Sequence, residues 1–275
     1  MKRFSHIFVI VILLFLFTAC IKPAIQSSSL IRIKGSDTMI ILVRTFAEAY
    51  MTQHPGITIA VEGGGSATGF KALIDGEIDI AIASRLITPQ EASQMARTYK
   101  NIGISYLVAK DALSIYLNPD NKINSLTMGD LALIFSGQID NWLVFSDSLI
   151  DIIPVIRPET SGTHLYFQTH VLHGQAYTEK SAELPTTKAV THFVSEHFNA
   201  IGYGGFAYGD SVFMAPVNGI IPNEENVLND TYPLSRYLYF YTITTPDENI
   251  RKFIDWVISP AGQAIVRQTG YFPIW

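Results

Sequence analysis

Three short stretches combine glycine, serine and threonine in a pattern suited to holding an anion. They are Gly35-Ser36-Asp37-Thr38, the run Gly63-Gly64-Gly65-Ser66-Ala67-Thr68-Gly69, and Arg157-Pro158-Glu159-Thr160-Ser161-Gly162-Thr163. Each stands between an apolar, strand-like pattern and a helical one. A helix N-terminus presents unpaired backbone N–H groups and the positive end of the helix dipole, and small residues let an oxyanion approach that backbone closely. The hydroxyls of Ser36, Thr38, Ser66, Ser161 and Thr163 add short-range donors. Taken singly, such turns are ordinary N-caps and tight turns. Three of them, with Arg157 four residues before Ser161 and Arg85 just after Asp79-Ile80-Ala81-Ile82-Ala83-Ser84, point instead to a shared oxyanion site.

Enzymatic templates do not fit the same residues. Gly64 and Gly69 have the outer spacing of a P-loop, but Phe70 precedes Lys71 and Ala72 follows it, so the Gly-Lys-Ser/Thr ending is absent. A nucleophile elbow at Ser66 fails because Thr68 stands where the second glycine belongs. Neither His170 with His173 nor His192 with His197 has the i, i+4 spacing that would offer a metal two ligands on one helical face. No metal and no cofactor is expected. Tyr203, Phe206, Tyr208, Tyr237, Tyr239, Phe240 and Tyr241 could suggest a sugar platform, yet alternation over the last four is that of a half-buried strand, which assigns the set to scaffold and hinge.

The elements that must position the turns follow a βαβα rhythm. Strand patterns over Leu30–Ile33, Ile57–Val61 and Ile78–Ala83 alternate with helical patterns over Ile40–Met51, Ala67–Ile74 and Gln90–Tyr99, which implies a mostly parallel sheet covered by helices. Thr88-Pro89-Gln90-Glu91 supplies an N-cap, a proline at the first helical position and a capping-box acid. Thr127 and Asp130 give a weaker signal of the same kind. The rhythm resumes with Asp151–Ile156, the segment from Ser161, and a helix near Lys188–Phe198, so two α/β units are expected. With no Pro/Gly-rich linker between them, Lys110–Leu117 and Ser235–Thr242 are the candidate crossing strands.

At the N-terminus, Lys2 and Arg3, the apolar run Ile7–Phe17 and Thr18-Ala19-Cys20 read as an export signal over residues 1–19. The run is shorter than the ~20 apolar residues of a membrane span. Cys20 is the sole cysteine, so no intrachain disulfide can form, and its place after Leu16-Phe17-Thr18-Ala19 resembles a lipobox. Lipidation at Cys20 and a tether over residues 20–29 follow as expectations. The chain has 19 Lys and Arg against 24 Asp and Glu, and loss of Lys2 and Arg3 with the signal makes it more acidic. Nucleic acid is thereby excluded as a partner, because its binding needs a basic field.

Gly35-Ser36-Asp37-Thr38-Met39, Val61 through Gly69, Ala83-Ser84-Arg85, Arg157 through Thr163, Ala200-Ile201-Gly202-Tyr203 and Tyr232-Pro233-Leu234-Ser235-Arg236 together resemble the phosphate-binding proteins (PstS-like) of ABC importers. The matches run in order from Leu30 to Trp275. The resemblance implies the α/β type II fold of periplasmic binding proteins: two α/β lobes, residues 30–112 plus 237–275 and residues 113–236, joined by a two-strand hinge. It implies inorganic phosphate in the cleft, contacted by Thr38, Met39, Ser66, Arg157, Ser161, Gly162 and Thr163, with Ser36, Asp37, Ser84 and Arg85 alongside. It further implies a monomer anchored outside the cytoplasm by lipid, serving an ABC permease and its ATPase. In one respect the chain departs from longer phosphate binders, which place an aspartate after Ala-Ser to accept a proton from hydrogen phosphate. Arg85 stands there in this sequence, leaving Asp37 as the acceptor within reach. His164 also stands where relatives carry another basic or polar residue. Capture of a different oxyanion (sulfate, molybdate or tungstate) stays open as an alternative, and a secreted phosphohydrolase as a more distant one.

Overall fold

The computed structural model describes residues 29–121, 123–146 and 149–275. The export signal, Cys20 and the tether up to residue 28 lie outside the described residues.

The chain opens with β1 (Ser29–Gly35), a 3-10 turn over Asp37–Met39 and α1 (Ile40–Gln53). It continues with β2 (Ile57–Glu62), α2 (Ser66–Ile74), β3 (Ile80–Ala83), α3 (Pro89–Tyr99) and the long β4 (Ile104–Leu117). These are the elements that the apolar periodicity predicts. Strand β1 pairs in parallel with β2 on one side and β3 on the other. In β3, Ile80 and Ile82 join one apolar cluster while Ala81 and Ala83 join another. Both faces of the strand are therefore covered, which is why it reads as an unbroken apolar run.

The second unit contains α4 (Met128–Phe135), β5 (Ile153–Ile156), α5 (Gly162–His170), β6 (Ala182–Glu183), α6 (Thr187–Glu196) and β7 (Ala200–Gly205). After these come β8 (Phe213–Ala215), α7 (Glu224–Leu228), β9 (Ser235–Thr242), α8 (Glu248–Ile258) and α9 (Pro260–Gln268). The strands line up in the order β2-β1-β3-β9-β4-β7-β5-β6, with β8 on β4. The expected parallel pairing holds for β1 with β2 and β3, and for β5 with β6 and β7. At the centre it gives way to antiparallel pairs, β3 with β9, β9 with β4 and β4 with β7. The cause is topological: β4 carries the chain out of the first unit, β9 brings it back, and two such crossings side by side run in opposite directions.

Two main cores result. One gathers Ile31, Leu42, Phe46, Ile82, Phe240, Phe253 and Val257 beneath α1 and α8. The other gathers Leu113, Ile115, Phe135, Trp142, Phe167, Ile201 and Tyr203. Phe272 packs in this second core although its chain neighbour Tyr271 packs in the first.

Both capping boxes form. The Thr88 hydroxyl accepts from the Glu91 N–H at 3.2 Å while the Glu91 carboxylate accepts from the Thr88 N–H at 2.8 Å, and Thr127 and Asp130 make the same reciprocal pair. An N-cap threonine typically contributes about 1 kcal/mol. Thr88→Ala is expected to lower the unfolding free energy by about that amount, and Thr88→Ser to restore most of it, as measured by urea denaturation.

Candidate functional site

The three glycine- and hydroxyl-rich turns meet. The turn after β1 leads into the 3-10 helix at Asp37, the second turn into α2 at Ser66, and the third into α5 at Gly162. Thr38 Oγ1 stands 3.0 Å from Thr163 Oγ1, across 125 positions of sequence. The Ala67 N–H donates to the Thr160 carbonyl at 3.1 Å, which joins the second turn to the third. Two glycines make this closeness possible. Gly65 has φ +97°, and a methyl there would overlap the Thr160 carbonyl; a methyl on Gly162 would overlap the Ser66 and Ser84 hydroxyls. Ser161 caps α5 with its hydroxyl, which accepts from the Thr163 and His164 N–H groups. Ser36, Thr38, Ser66, Ser84, Ser161 and Thr163 are all buried, and the Met39 side chain fills the first core rather than the cleft.

Arg157 is the charge at the centre of this arrangement, 1% exposed. Its Nη2 donates to Asp37 Oδ2 at 2.8 Å and to the Pro185 carbonyl at 2.9 Å, and Nη1 donates to Thr187 Oγ1 at 3.0 Å. Burial pulls its pKa down from the ordinary arginine value, and Asp37 opposes that shift. Asp37 is engaged on both oxygens, since Oδ1 accepts from the Gly64 N–H at 3.2 Å. His164 serves this cluster from behind. Its Nδ1 lies 2.5 Å from the Arg157 carbonyl, which requires Nδ1 to carry the hydrogen and donate it. The imidazole thereby pins the backbone from which Arg157 projects.

Arg85 does not join this cluster. Its Nη1 and Nη2 form a fork on the Glu91 carboxylate at 2.8 and 2.7 Å, and its guanidinium lies 5.2 Å from the Phe70 ring centroid. Sequence analysis placed Arg85 alongside the anion contacts, but Glu91, read from sequence as a capping acid, draws the cation toward α3. Ser84 beside it stays at the cleft.

Sequence reasoning passed over Arg236, Asp111, Tyr208 and Tyr271. Arg236 donates through Nε and Nη2 to Asp111 Oδ2 at 3.0 and 2.8 Å, through Nη1 to Thr163 Oγ1 at 2.9 Å, and through Nη2 to Thr38 Oγ1 at 3.4 Å. Complete burial pushes the Asp111 carboxyl above its ordinary pKa, with Arg236 pulling it back. Tyr208, assigned with its aromatic set to the scaffold, donates its hydroxyl to the Asp37 carbonyl at 2.8 Å, and the Tyr271 hydroxyl donates to the Thr38 carbonyl. Arg236 was at least visible, as the last residue of the Tyr232–Arg236 motif.

Four buried side-chain polar atoms among the described residues lack a hydrogen-bond partner. Three of them are Ser84 Oγ and Arg157 Nε, at the meeting turns, and Arg85 Nε, on the side chain drawn away to Glu91. Buried donors left unpaired are costly, and an acceptor-rich ligand would satisfy the first two.

Residues 22–261 match the family model of a PBP superfamily domain. The chain belongs to this superfamily, among its PstS-like members. It is 31% identical to the phosphate-binding protein PstS of Pseudomonas aeruginosa over 87% of this chain and 81% of that one, and 29% identical to PstS of Bacillus subtilis over 90% and 82%. Its fold is similar to that of an ABC transporter substrate-binding protein from Clostridium perfringens solved with bound phosphate. There the TM-score is 0.82 at 29% identity, over 90% of this chain and all of the other. A phosphate transport receptor from Vibrio cholerae gives 0.74 at 27%, over 88% and 99%.

Among these PstS-like features His164 makes a pH dependence testable. Burial holds its pKa below the ordinary histidine value, so the unfolded chain takes up a proton at a higher pH than the folded one. Its contribution to stability is complete above the unfolded pKa, about 6.5, and falls as pH drops below it, by less than about 1.4 kcal/mol per pH unit. The stability advantage of wild type over His164→Asn, measured by thermal unfolding, is expected to shrink as pH is lowered from about 7 to about 5.

Proposed function

We propose that the chain captures inorganic phosphate outside the cytoplasmic membrane and delivers it to an ABC permease driven by its ATPase, with no chemistry performed on the bound ion. The observation that carries this reading is the meeting of the three turns, Thr38 with Thr163 and Ala67 with Thr160, beside the buried Arg157, with Ser84 Oγ and Arg157 Nε left as unpaired donors. Such a cradle offers a tetrahedral anion N–H and O–H groups from several directions. Family membership and the names of the relatives support the same ligand.

The contacts we assign are the backbone and hydroxyl of Thr38, the backbone of Met39, Ser66, Arg157, Ser161, Gly162 and Thr163, with Ser36, Asp37 and Ser84 completing the wall. Residues 30–112 with 237–275 form one jaw of the clamp and residues 113–236 the other, and the chain works as a monomer. Cys20 carries lipid and holds the mature protein at a membrane. Replacement of Cys20 by Ala is expected to release an exported protein that still binds phosphate; recovery of the variant in the membrane fraction would count against lipidation.

The alternative of another oxyanion draws support from Asp37. Both of its oxygens already accept hydrogen bonds from Arg157 and Gly64, which limits its capacity to take a proton from hydrogen phosphate and thereby to reject sulfate. Calorimetric titration of the stripped protein with phosphate, sulfate, molybdate and tungstate separates the two readings. Phosphate is expected to bind most tightly; equal or tighter sulfate binding would sink the phosphate assignment. Within the same experiment, Arg157→Ala is expected to weaken phosphate by roughly 10- to 100-fold, through loss of the charge-assisted bond its unpaired Nε can make and of the cation that holds Asp37. Arg85→Ala is expected to change affinity by less than about threefold, because its fork is already committed to Glu91.

A further inference from the structure

Arg236 has a place in the cleft that the anion contacts named above leave unexplained. It lies on β9, 3% exposed. Directly across the ladder on β4 is Asp111, whose Oδ2 takes both Nε and Nη2 and whose Oδ1 accepts from the Phe206 N–H at 3.1 Å. The guanidinium is thus fixed from the hinge side, with its carbon 5.7 Å from the centroid of the Tyr166 ring. On its far side it meets one hydroxyl from each unit, Thr38 from the turn after β1 and Thr163 from the first turn of α5.

A guanidinium can only donate. A threonine hydroxyl that accepts from it therefore keeps its own hydrogen for another acceptor. Thr38 and Thr163 are 3.0 Å apart, so one donates to the other. Among the described residues, the hydrogen left over has no acceptor in the hydrogen-bond network around the pair. Without the arginine, either hydroxyl could rotate to present a lone pair to an anion, which repels it.

We propose that Arg236 is a positioning residue: held by Asp111, it fixes the Thr38–Thr163 hydroxyl pair so that the one hydrogen not spent within the pair is aimed at the bound anion. Because Asp111 and Arg236 are partners within the strand pair linking the units, the hydroxyl pair completes itself only when both units stand against the hinge. This inference rests on the phosphate reading of the cleft.

A double-mutant cycle tests it, with phosphate titrated calorimetrically into the purified chain. Arg236→Lys keeps a cation opposite Asp111 but loses the planar fork. It is expected to weaken phosphate about tenfold in the wild-type background and less than about twofold in the Thr163→Val background, because the arginine acts through the hydroxyl that is already gone. Thermal unfolding checks that each variant is folded. If Arg236→Lys fails to fold, the pair Asp111→Asn with Arg236→Gln, which removes both buried charges together, enters the same cycle with the same expectation. Wild-type affinity in the Arg236 variant, or an equal loss in both backgrounds, overturns the inference while leaving the phosphate reading intact. Failure of the wild-type chain to bind phosphate overturns both.

Discussion

The cleft is organised by the need to keep two cations away from water. Arg157 and Arg236 are both almost wholly buried, and an unpaired buried guanidinium would cost several kcal/mol. Each is matched by a carboxylate, Asp37 for Arg157 and Asp111 for Arg236. The two pairs differ in what they connect. Asp111 and Arg236 face each other across the β4–β9 ladder, so their pairing is local to the hinge. Asp37 follows β1 and Arg157 follows β5, so that ion pair exists only when the two units stand together.

This pairing constrains how an anion can be held. Each arginine is neutralised by its own aspartate, so the cluster carries little net charge, and the chain as a whole is acidic at −5. On the contacts we propose, attraction comes from groups of short reach: the N–H ends of the three turns, the hydroxyls packed among them and the unpaired Nε of Arg157. Such donors act over a few ångströms and select for geometry. A loosely placed anion gains almost nothing from them, and one seated among all three turns gains from each. The close packing at Gly65 and Gly162 belongs to the same logic, because any side chain there would hold the turns apart.

Much of this was legible in the sequence, and the remainder was hidden for identifiable reasons. The βαβα order, the Thr88 and Thr127 caps and the three turns are local patterns within a dozen residues, and local patterns survive folding. The same holds for the crossing strands, whose apolar runs lie where β4 and β9 occur. Arg236 and Asp111 are 125 positions apart, and nothing in either neighbourhood announces the other. Arg85 shows the opposite difficulty: its partner Glu91 is only six positions away, but one carboxylate serves both the Thr88 N–H and the guanidinium. Sequence spacing reveals the first of these roles and conceals the second. Tyr208 was masked by its company, since an aromatic in an aromatic-rich stretch reads as packing even when its hydroxyl bonds the Asp37 carbonyl.

The C-terminal segment adds a restraint that the two-strand picture of the hinge lacks. Lys110 on β4 exchanges backbone hydrogen bonds with Phe272, at 2.7 and 3.0 Å. Phe272 packs in the second core, while Tyr271, one residue earlier, packs in the first and donates to the Thr38 carbonyl. Gln263 holds the approach to this segment, donating to the Val108 carbonyl and accepting from the Ile274 N–H. The ladder itself changes register between Leu107 and Ala109, just before β4 passes from the first core to the second, and a bulge bends and twists a strand locally. The C-terminal segment is therefore a third piece of chain at the crossing, bonded at one residue to the Thr38 turn and packed at the next in the opposite core. Through Tyr271 and Phe272, the Thr38 turn and the second core are tied together at adjacent positions of the chain.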